Sequence, residues 1–150
     1  LDSFSYVASK WSIIDPVIEY KSQYADRFHA KINHDIRISA KPNVDDIDIA
    51  ILIGNLLDNA IEAVSALSDD QSKNIEIFAE SDERKTIISI TNPVEKSIDT
   101  NHLKTTKNDA NRHGYGLIAV KRIVDKYNGT LLLTCQDNVF EASAMLNQQK

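Results

Sequence analysis

The sequence predicts an α+β domain in which three helices cover one face of a mixed or antiparallel sheet of about five strands. Three observations carry this expectation. The spacing of apolar side chains switches between a helical period and a period of two, in the order helix, strand, helix, strand, strand, loop, helix, strand, strand. The chain has 150 residues, 42% of them apolar, which is one domain's worth of chain with an ordinary core. With 4 Gly and 3 Pro, low-complexity and disordered readings are excluded.

The elements follow in order. Phe4, Val7, Trp11 and Ile14 recur at spacings of three and four, the seam of a helix, so residues 1–13 read as the tail of a preceding helical element. Asp15-Pro16 reads as an N-cap and a first-turn proline opening a new helix, with Val17, Tyr20, Tyr24 and Phe28 along one face. From Lys31, Ile32, His34, Ile36 and Ile38 alternate with polar residues as in a half-buried strand, which Pro42 ends. Residues 46–67 hold the densest helical pattern, closed by Ser68-Asp69-Asp70. Residues 74–81 and 85–91 read as a hairpin joined by Asp82-Glu83-Arg84. Asn92 to His113 is a long polar loop, of the kind that is usually functional when it occurs inside a compact domain. A helix resumes at Gly114-Tyr115-Gly116 and stops at Asn128-Gly129, and residues 131–135 and 139–146 form a closing pair of strands.

Composition narrows the partners. With 17 Lys+Arg against 22 Asp+Glu the net charge is −5, which argues against nucleic acid or a membrane surface held by a diffuse basic field. The single Cys135 excludes an internal disulfide and any multi-cysteine zinc site. The longest apolar run, from Ile47 to Leu57, is broken by Asp48 and Asn55 and is too short to span a bilayer. The chain opens with Leu, as an excised piece of a longer protein would.

Three features point to chemistry. Asn55, Asp58, Asn59 and Glu62 fall at i, i+3, i+4 and i+7 and make one polar stripe on an otherwise apolar helix. Any amphipathic helix exposes a face, and the two acids alone would be unremarkable. Two asparagines one turn apart are harder to explain, because Asn is a mediocre helix former. Amide oxygens suit a hard cation such as Mg²⁺ held jointly with substrate phosphates. The second feature is Gly114-Tyr115-Gly116 at a helix start, where unpaired N–H groups and a partial positive charge favour an anion. A plain hinge would look the same. Gly114, Gly116 and Ala119, with Asp137 beyond, also fit a dinucleotide fingerprint, but that pattern needs a strand before its first glycine, and here polar loop precedes it. Third, Lys104, Lys107 and Arg112 stand among Thr105, Thr106 and Asn108, either closing over phosphates or simply solvated.

Together these motifs resemble a known family. Asn55-Leu56-Leu57-Asp58-Asn59-Ala60-Ile61-Glu62-Ala63 is similar to the N-box of GHKL ATP-binding domains, and His113-Gly114-Tyr115-Gly116-Leu117 looks like their G2 box. The order of elements between the boxes matches the Bergerat fold, a two-layer sandwich, and the likeness runs roughly from Asp15 to Leu146. It is strongest to the catalytic domains of bacterial sensor histidine kinases, especially the peptide-sensing, quorum-type kinases of Gram-positive bacteria. The resemblance implies a catalytic domain over residues 14–150, with 1–13 the end of a dimerisation helix or linker. It implies ATP and Mg²⁺ as ligands, with Asn59 the principal metal ligand and Asn55 helping to hold metal and phosphates in catalysis. Asp58, Tyr115 and His113 would stand beside the nucleotide. Gly114, Gly116 and Leu117 would form the phosphate-facing turn, and Lys107 and Arg112 would lie in a lid over ATP. Hydrolytic relatives carry a Glu in the place of Asn55, so its absence favours phosphoryl transfer to a protein.

Departures from the family pattern fall on the adenine side. The common first glycine box recognises adenine through an Asp, whereas after the strand this chain reads Thr91-Asn92-Pro93. Asn92 retains an amide oxygen that accepts from the adenine amine, without the charge-assisted contact. A Gly-Thr pair common before the last strand is replaced by Asn138-Val139. The first change implies weak nucleotide affinity, and the second leaves the other adenine-side contact unassigned.

No histidine reads as a phospho-acceptor. His34 lies in an alternating strand, where a partly buried structural role is expected, His29 ends a helix, His102 is in the loop and His113 adjoins the glycine turn. The acceptor is therefore expected upstream, on the protein's own dimerisation domain, with a cognate response regulator as the next partner. The resemblance further implies a homodimeric full-length protein and a cytoplasmic domain of a membrane-anchored bacterial kinase, and leaves open whether the fragment by itself is monomeric. Two alternatives remain at this point: a degenerate GHKL domain used as a docking or regulatory module, and an anti-sigma-type serine kinase.

Overall fold

The computed structural model describes residues 11–95 and 115–147. Among these residues three helices, α1 (Ile14–Asp26), α2 (Asp46–Ser65) and α3 (Tyr115–Lys126), lie with five strands, β1 (Lys31–Ile38), β2 (Asn74–Ser81), β3 (Lys85–Pro93), β4 (Thr130–Gln136) and β5 (Val139–Asn147). The expected α+β class and the five-stranded mixed sheet with three helices are both present.

The strands are ordered β1-β2-β3-β5-β4. β1 runs parallel to β2, in register from Lys31 opposite Asn74 to Ile38 opposite Ser81, so α2 is the crossover that a parallel neighbour requires. Every other pair is antiparallel. The β2–β3 turn is built by Asp82, whose carboxylate accepts from the Arg84 and Lys85 amides at 2.7 and 2.9 Å. Those backbone donors hold its pKa below the usual carboxylate value. The β4–β5 turn places Asp137 and Asn138 at φ of 54° and 59°, the two left-handed residues of a tight hairpin that Asp and Asn tolerate well.

One sheet face and one side of each helix make the core. Ile75, Ile77, Ala79, Ile88, Ile90, Ala142, Ala144 and Leu146 alternate along three strands and are buried beneath α2 and α3. From α2 come Ile49, Leu52, Ile53, Leu56, Leu57, Ala60, Ile61 and Val64. Each fully buried Leu or Ile contributes about 1.5–3 kcal/mol. The buried Ser81 and Thr86 hydroxyls satisfy each other at 2.9 Å.

Several local expectations are corrected. α1 begins at Ile14 with Ile13 at the N-cap, not at Asp15, because Trp11 and Ile14 are fully buried and the Ile14 amide donates to the Trp11 carbonyl at 3.1 Å. Pro16 is tolerated because a first-turn N–H needs no helical partner. The buried face of α1 is Ile14, Ile18 and Ala25; Tyr20 is 70% exposed and Tyr24 39%, while Phe28 lies beyond the helix and meets Tyr24 edge-on at 5.4 Å. His34 is exposed rather than partly buried, because β1 is an edge strand that the helices cover only in part. The expected left-handed stop at Asn128-Gly129 is present, and it is Asn128, φ 52°, that takes the left-handed conformation. Gly129 is needed for proximity instead, since a Cβ there would stand 1.8 Å from the Met145 carbonyl oxygen. Its amide donates to Val124 O at 2.8 Å. The part of the helical seam at Phe4 and Val7 lies outside the described residues.

Candidate functional site

α2 carries its polar stripe as read, but the fold divides it between two neighbours. Asp58 turns to α1, where the Lys21 ammonium reaches its Oδ1 at 2.6 Å. The lysine stem crosses Gly54, with its Cε 3.7 Å from where a Cβ at that glycine would be. Asp58 is thereby committed to tying two helices together. Glu62 is exposed.

Asn55 turns the other way, toward the start of α3. Its Nδ2 donates to the Ile51 carbonyl one turn back, at 2.9 Å, which fixes the amide and directs Oδ1 away from the helix. A Cβ on Gly116 would sit 3.3 Å from that Oδ1 and 3.6 Å from the Asn55 Cβ. The glycine is what permits the first turn of α3 to come this near. Asn59 is half-buried one turn further along α2, 40° from Asn55 by helical period. Two groups of opposite character therefore meet: the Asn55 amide oxygen on α2, which suits a hard cation, and the open N–H groups of α3, a helix with no acid in its first turn, that suit an anion. Leu117 packs half-buried against the core behind this turn. The donor set is an amide one, and among the described residues no group of three or more His, Cys, Asp or Glu competes as a metal site.

Asn92 lies near the end of β3, the strand over which α2 packs, and is 3% exposed. Its Nδ2 donates to the Pro93 carbonyl at 3.0 Å, so its amide oxygen is the group turned away from that contact. The β4–β5 turn reaches the same strand end through the Val94 amide, which donates to the Asn138 carbonyl at 2.9 Å. The structure thus sets Gly116 against Asn55, with Asn59 one turn further along α2 and Leu117 packed on the core, and carries Asn92 on the sheet beneath α2. Lys104, Lys107, Arg112, His113 and Gly114 lie outside the described residues, as does the side chain of Tyr115.

Sequence reasoning missed the contact at the opposite end of the two helices. The Tyr127 hydroxyl donates to Asp48 Oδ2 at 2.6 Å and accepts from the Asp45 amide at 2.9 Å. Lys126 adds contacts to Asp48 at 2.8 Å and to Asp45 at 3.3 Å. Burial pushes the Asp48 carboxyl up, but the hydrogen bonds from Lys126 and Tyr127 outweigh it and hold the pKa below the usual carboxylate value. The Lys126 ammonium is pushed above its ordinary value by Asp48 and Asp45, and burial together with the Asp48 carboxylate raises the Tyr127 phenol. The available signal was Asp45-x-x-Asp48 at the start of one helix and Lys126-Tyr127 at the end of another. It is legible only once the two helices are known to be antiparallel neighbours.

Comparison with known proteins bears on this arrangement. A family described as "GHKL domain" matches residues 44–147. Over 104 residues the chain is 29% identical to the sensor histidine kinase DpiB of Escherichia coli (strain K12), a match that takes in 65% of this chain and 18% of that protein. The nucleotide-free catalytic domain of histidine kinase ThkA superposes with a TM-score of 0.69 at 18% identity, over 91% of this chain and 90% of that one. The Acinetobacter baumannii histidine kinase AdeS superposes with a TM-score of 0.64 at 19% identity, over 93% of this chain and 64% of that one.

Proposed function

The chain belongs to the GHKL domain family, and on that premise we propose that it binds Mg·ATP between α2 and the first turn of α3. From there it passes the γ-phosphoryl group to a histidine on a dimerisation domain outside this chain. The observation that carries the reading is Gly116 against Asn55, with a Cβ-to-Oδ1 distance of 3.3 Å where a side chain would begin. It joins a cation-seeking amide to an anion-seeking helix end, which is the complement of a metal-bound phosphate chain.

Asn59 and Asn55 would hold Mg²⁺, and that ion supplies charge neutralisation of the phosphate oxygens. The chain's own residues do the rest. The α3 amides orient the phosphates, Asn92 accepts from the adenine amine, and Lys107 and Arg112 supply positive charge for the phosphates. Catalysis is mostly positioning, since the acceptor histidine belongs to the dimerisation domain and Asn55 stands where a carboxylate base would activate water. The sequence likeness to a sensor histidine kinase supports histidine over serine as the acceptor. It supports a response regulator as the next partner and a homodimeric, membrane-anchored parent, and the N-box wording supports the peptide-sensing branch.

The test is calorimetric titration of the domain with a non-hydrolysable ATP analogue, with and without Mg²⁺, in the wild type and in Asn59→Ala. Mg²⁺-dependent binding is expected in the wild type. The variant should lose at least the roughly tenfold that even an outer-shell partner of a metal is worth. Binding that is indifferent to both Mg²⁺ and Asn59 overturns the metal assignment. No binding at millimolar analogue overturns the nucleotide reading and favours a docking module.

A further inference from the structure

Resting on that nucleotide reading, we infer that Tyr127 is a positioning residue for the site. Its hydroxyl, held between the Asp45 amide and the Asp48 carboxylate, sets where Gly116 stands against Asn55.

The argument begins with how α3 is held. It runs antiparallel to α2, its C-terminal end at Asp45 and Asp48 and its N-terminal end at Asn55. Tyr127 stands eleven residues after Gly116, about 16 Å of helix at 1.5 Å per residue, so a small shift or rotation at one end displaces the other. At the N-terminal end the described packing is light, with Gly116 and Leu117 half-buried and Ile118 47% exposed. At the C-terminal end it is dense. Tyr127 is 1% exposed, and its backbone carbonyl accepts from the Asn147 amide of β5 at 3.1 Å.

Ring burial alone would hold Tyr127 in the core but would leave α3 free to slide along α2. The hydroxyl removes that freedom because it is bonded in two directions at once, donating to a side chain and accepting from the backbone of the α2 N-cap residue. Lys126 adds a cation at the C-terminal end of α3 facing the acids at the N-terminal end of α2, an arrangement both helix dipoles favour. A phenylalanine would satisfy the core equally well, so the hydroxyl's contribution is register.

Tyr127→Phe tests this in two readouts. Hydrogen exchange of the free protein should speed up about fivefold at the α3 amides of residues 119–122, the first bonded turn, by the worth of about one hydrogen bond, and stay unchanged in β2 and β3. Affinity for the Mg²⁺-bound ATP analogue should fall by a similar factor. The control is Ser89→Ala, which removes the Ser89–Ser143 hydroxyl pair, 2.8 Å apart on the sheet face away from the helices, and should lower the melting temperature without moving either readout. Asp48→Asn, which keeps an acceptor for the tyrosine, should give an intermediate effect and serves if Tyr127→Phe does not fold. Wild-type exchange and affinity in Tyr127→Phe, or exchange raised evenly across the whole domain, overturn the inference. If the wild type itself binds no nucleotide, the functional reading falls, and the exchange measurement alone decides the role of Tyr127.

Discussion

Two of the glycines are irreplaceable for opposite reasons, and each gives a prediction. Gly116 lies in a helix at ordinary φ, so Gly116→Ala should fold as well as the wild type and gain up to about 1 kcal/mol from helix propensity. Its new methyl group must displace the Asn55 amide, since the present distance is 3.3 Å, and affinity for the ATP analogue should drop about tenfold. Thermal melting rising while calorimetric affinity falls is the signature; both moving together would refute it. Gly129→Ala does the reverse. Its Cβ would collide with backbone at 1.8 Å, so strand and helix must part, at a cost of about 3 kcal/mol or more by denaturant titration. At this scale the sequence marked Asn55, Asn59 and Gly116 as candidates, because an asparagine pair inside an apolar helix and a glycine at a helix start break local rules. It did not disclose Gly129's crowding, Lys21 on Asp58 or the exposure of His34, since each depends on which segment passes alongside.

The helices show what hydrophobic pattern alone can and cannot establish. The stripe on α2 was visible, but its division, Asp58 to α1 and Asn55 to α3, depends on neighbours that sequence spacing does not name. The face of α1 was misread because Tyr20 and Tyr24 count as apolar in a periodicity but sit at a rim where their hydroxyls stay wet. A pH prediction belongs here, to the joint between α2 and α3. Asp48 has its folded-state pKa depressed, so its contribution to stability is complete above the ordinary carboxylate value of about 4 and disappears as pH falls through the lower folded value. Melting temperatures measured from pH 6 down to pH 2 should therefore fall less steeply in Asp48→Asn than in the wild type. Parallel curves would show that the joint carries no charge-dependent stability.

The whole molecule is a sheet whose central strands are those that best support α2. Strand number and boundaries were close to legible, because period-two alternation with buried Ile and Ala is a local signal. The order was not. That β5 lies inside β4, against β3, and that β1 joins β2 in parallel, are facts of long-range pairing which no local pattern encodes. The shared core predicts one cooperative transition, and Leu57→Ala, at a fully buried position on α2, should lower stability by about 2–5 kcal/mol without a second transition in a urea melt. The tight join of α3 to β4 has one more consequence, for the chemical ageing of the chain. Asn-Gly is the dipeptide most prone to deamidation, through attack of the glycine nitrogen on the asparagine side-chain carbonyl. At Asn128-Gly129 that nitrogen is turned to the Val124 carbonyl at 2.8 Å, inside the bend that closes the helix. Deamidation there has to wait for the bend to open, so the rate at which stored protein acquires a charge at Asn128 becomes a slow clock for local unfolding.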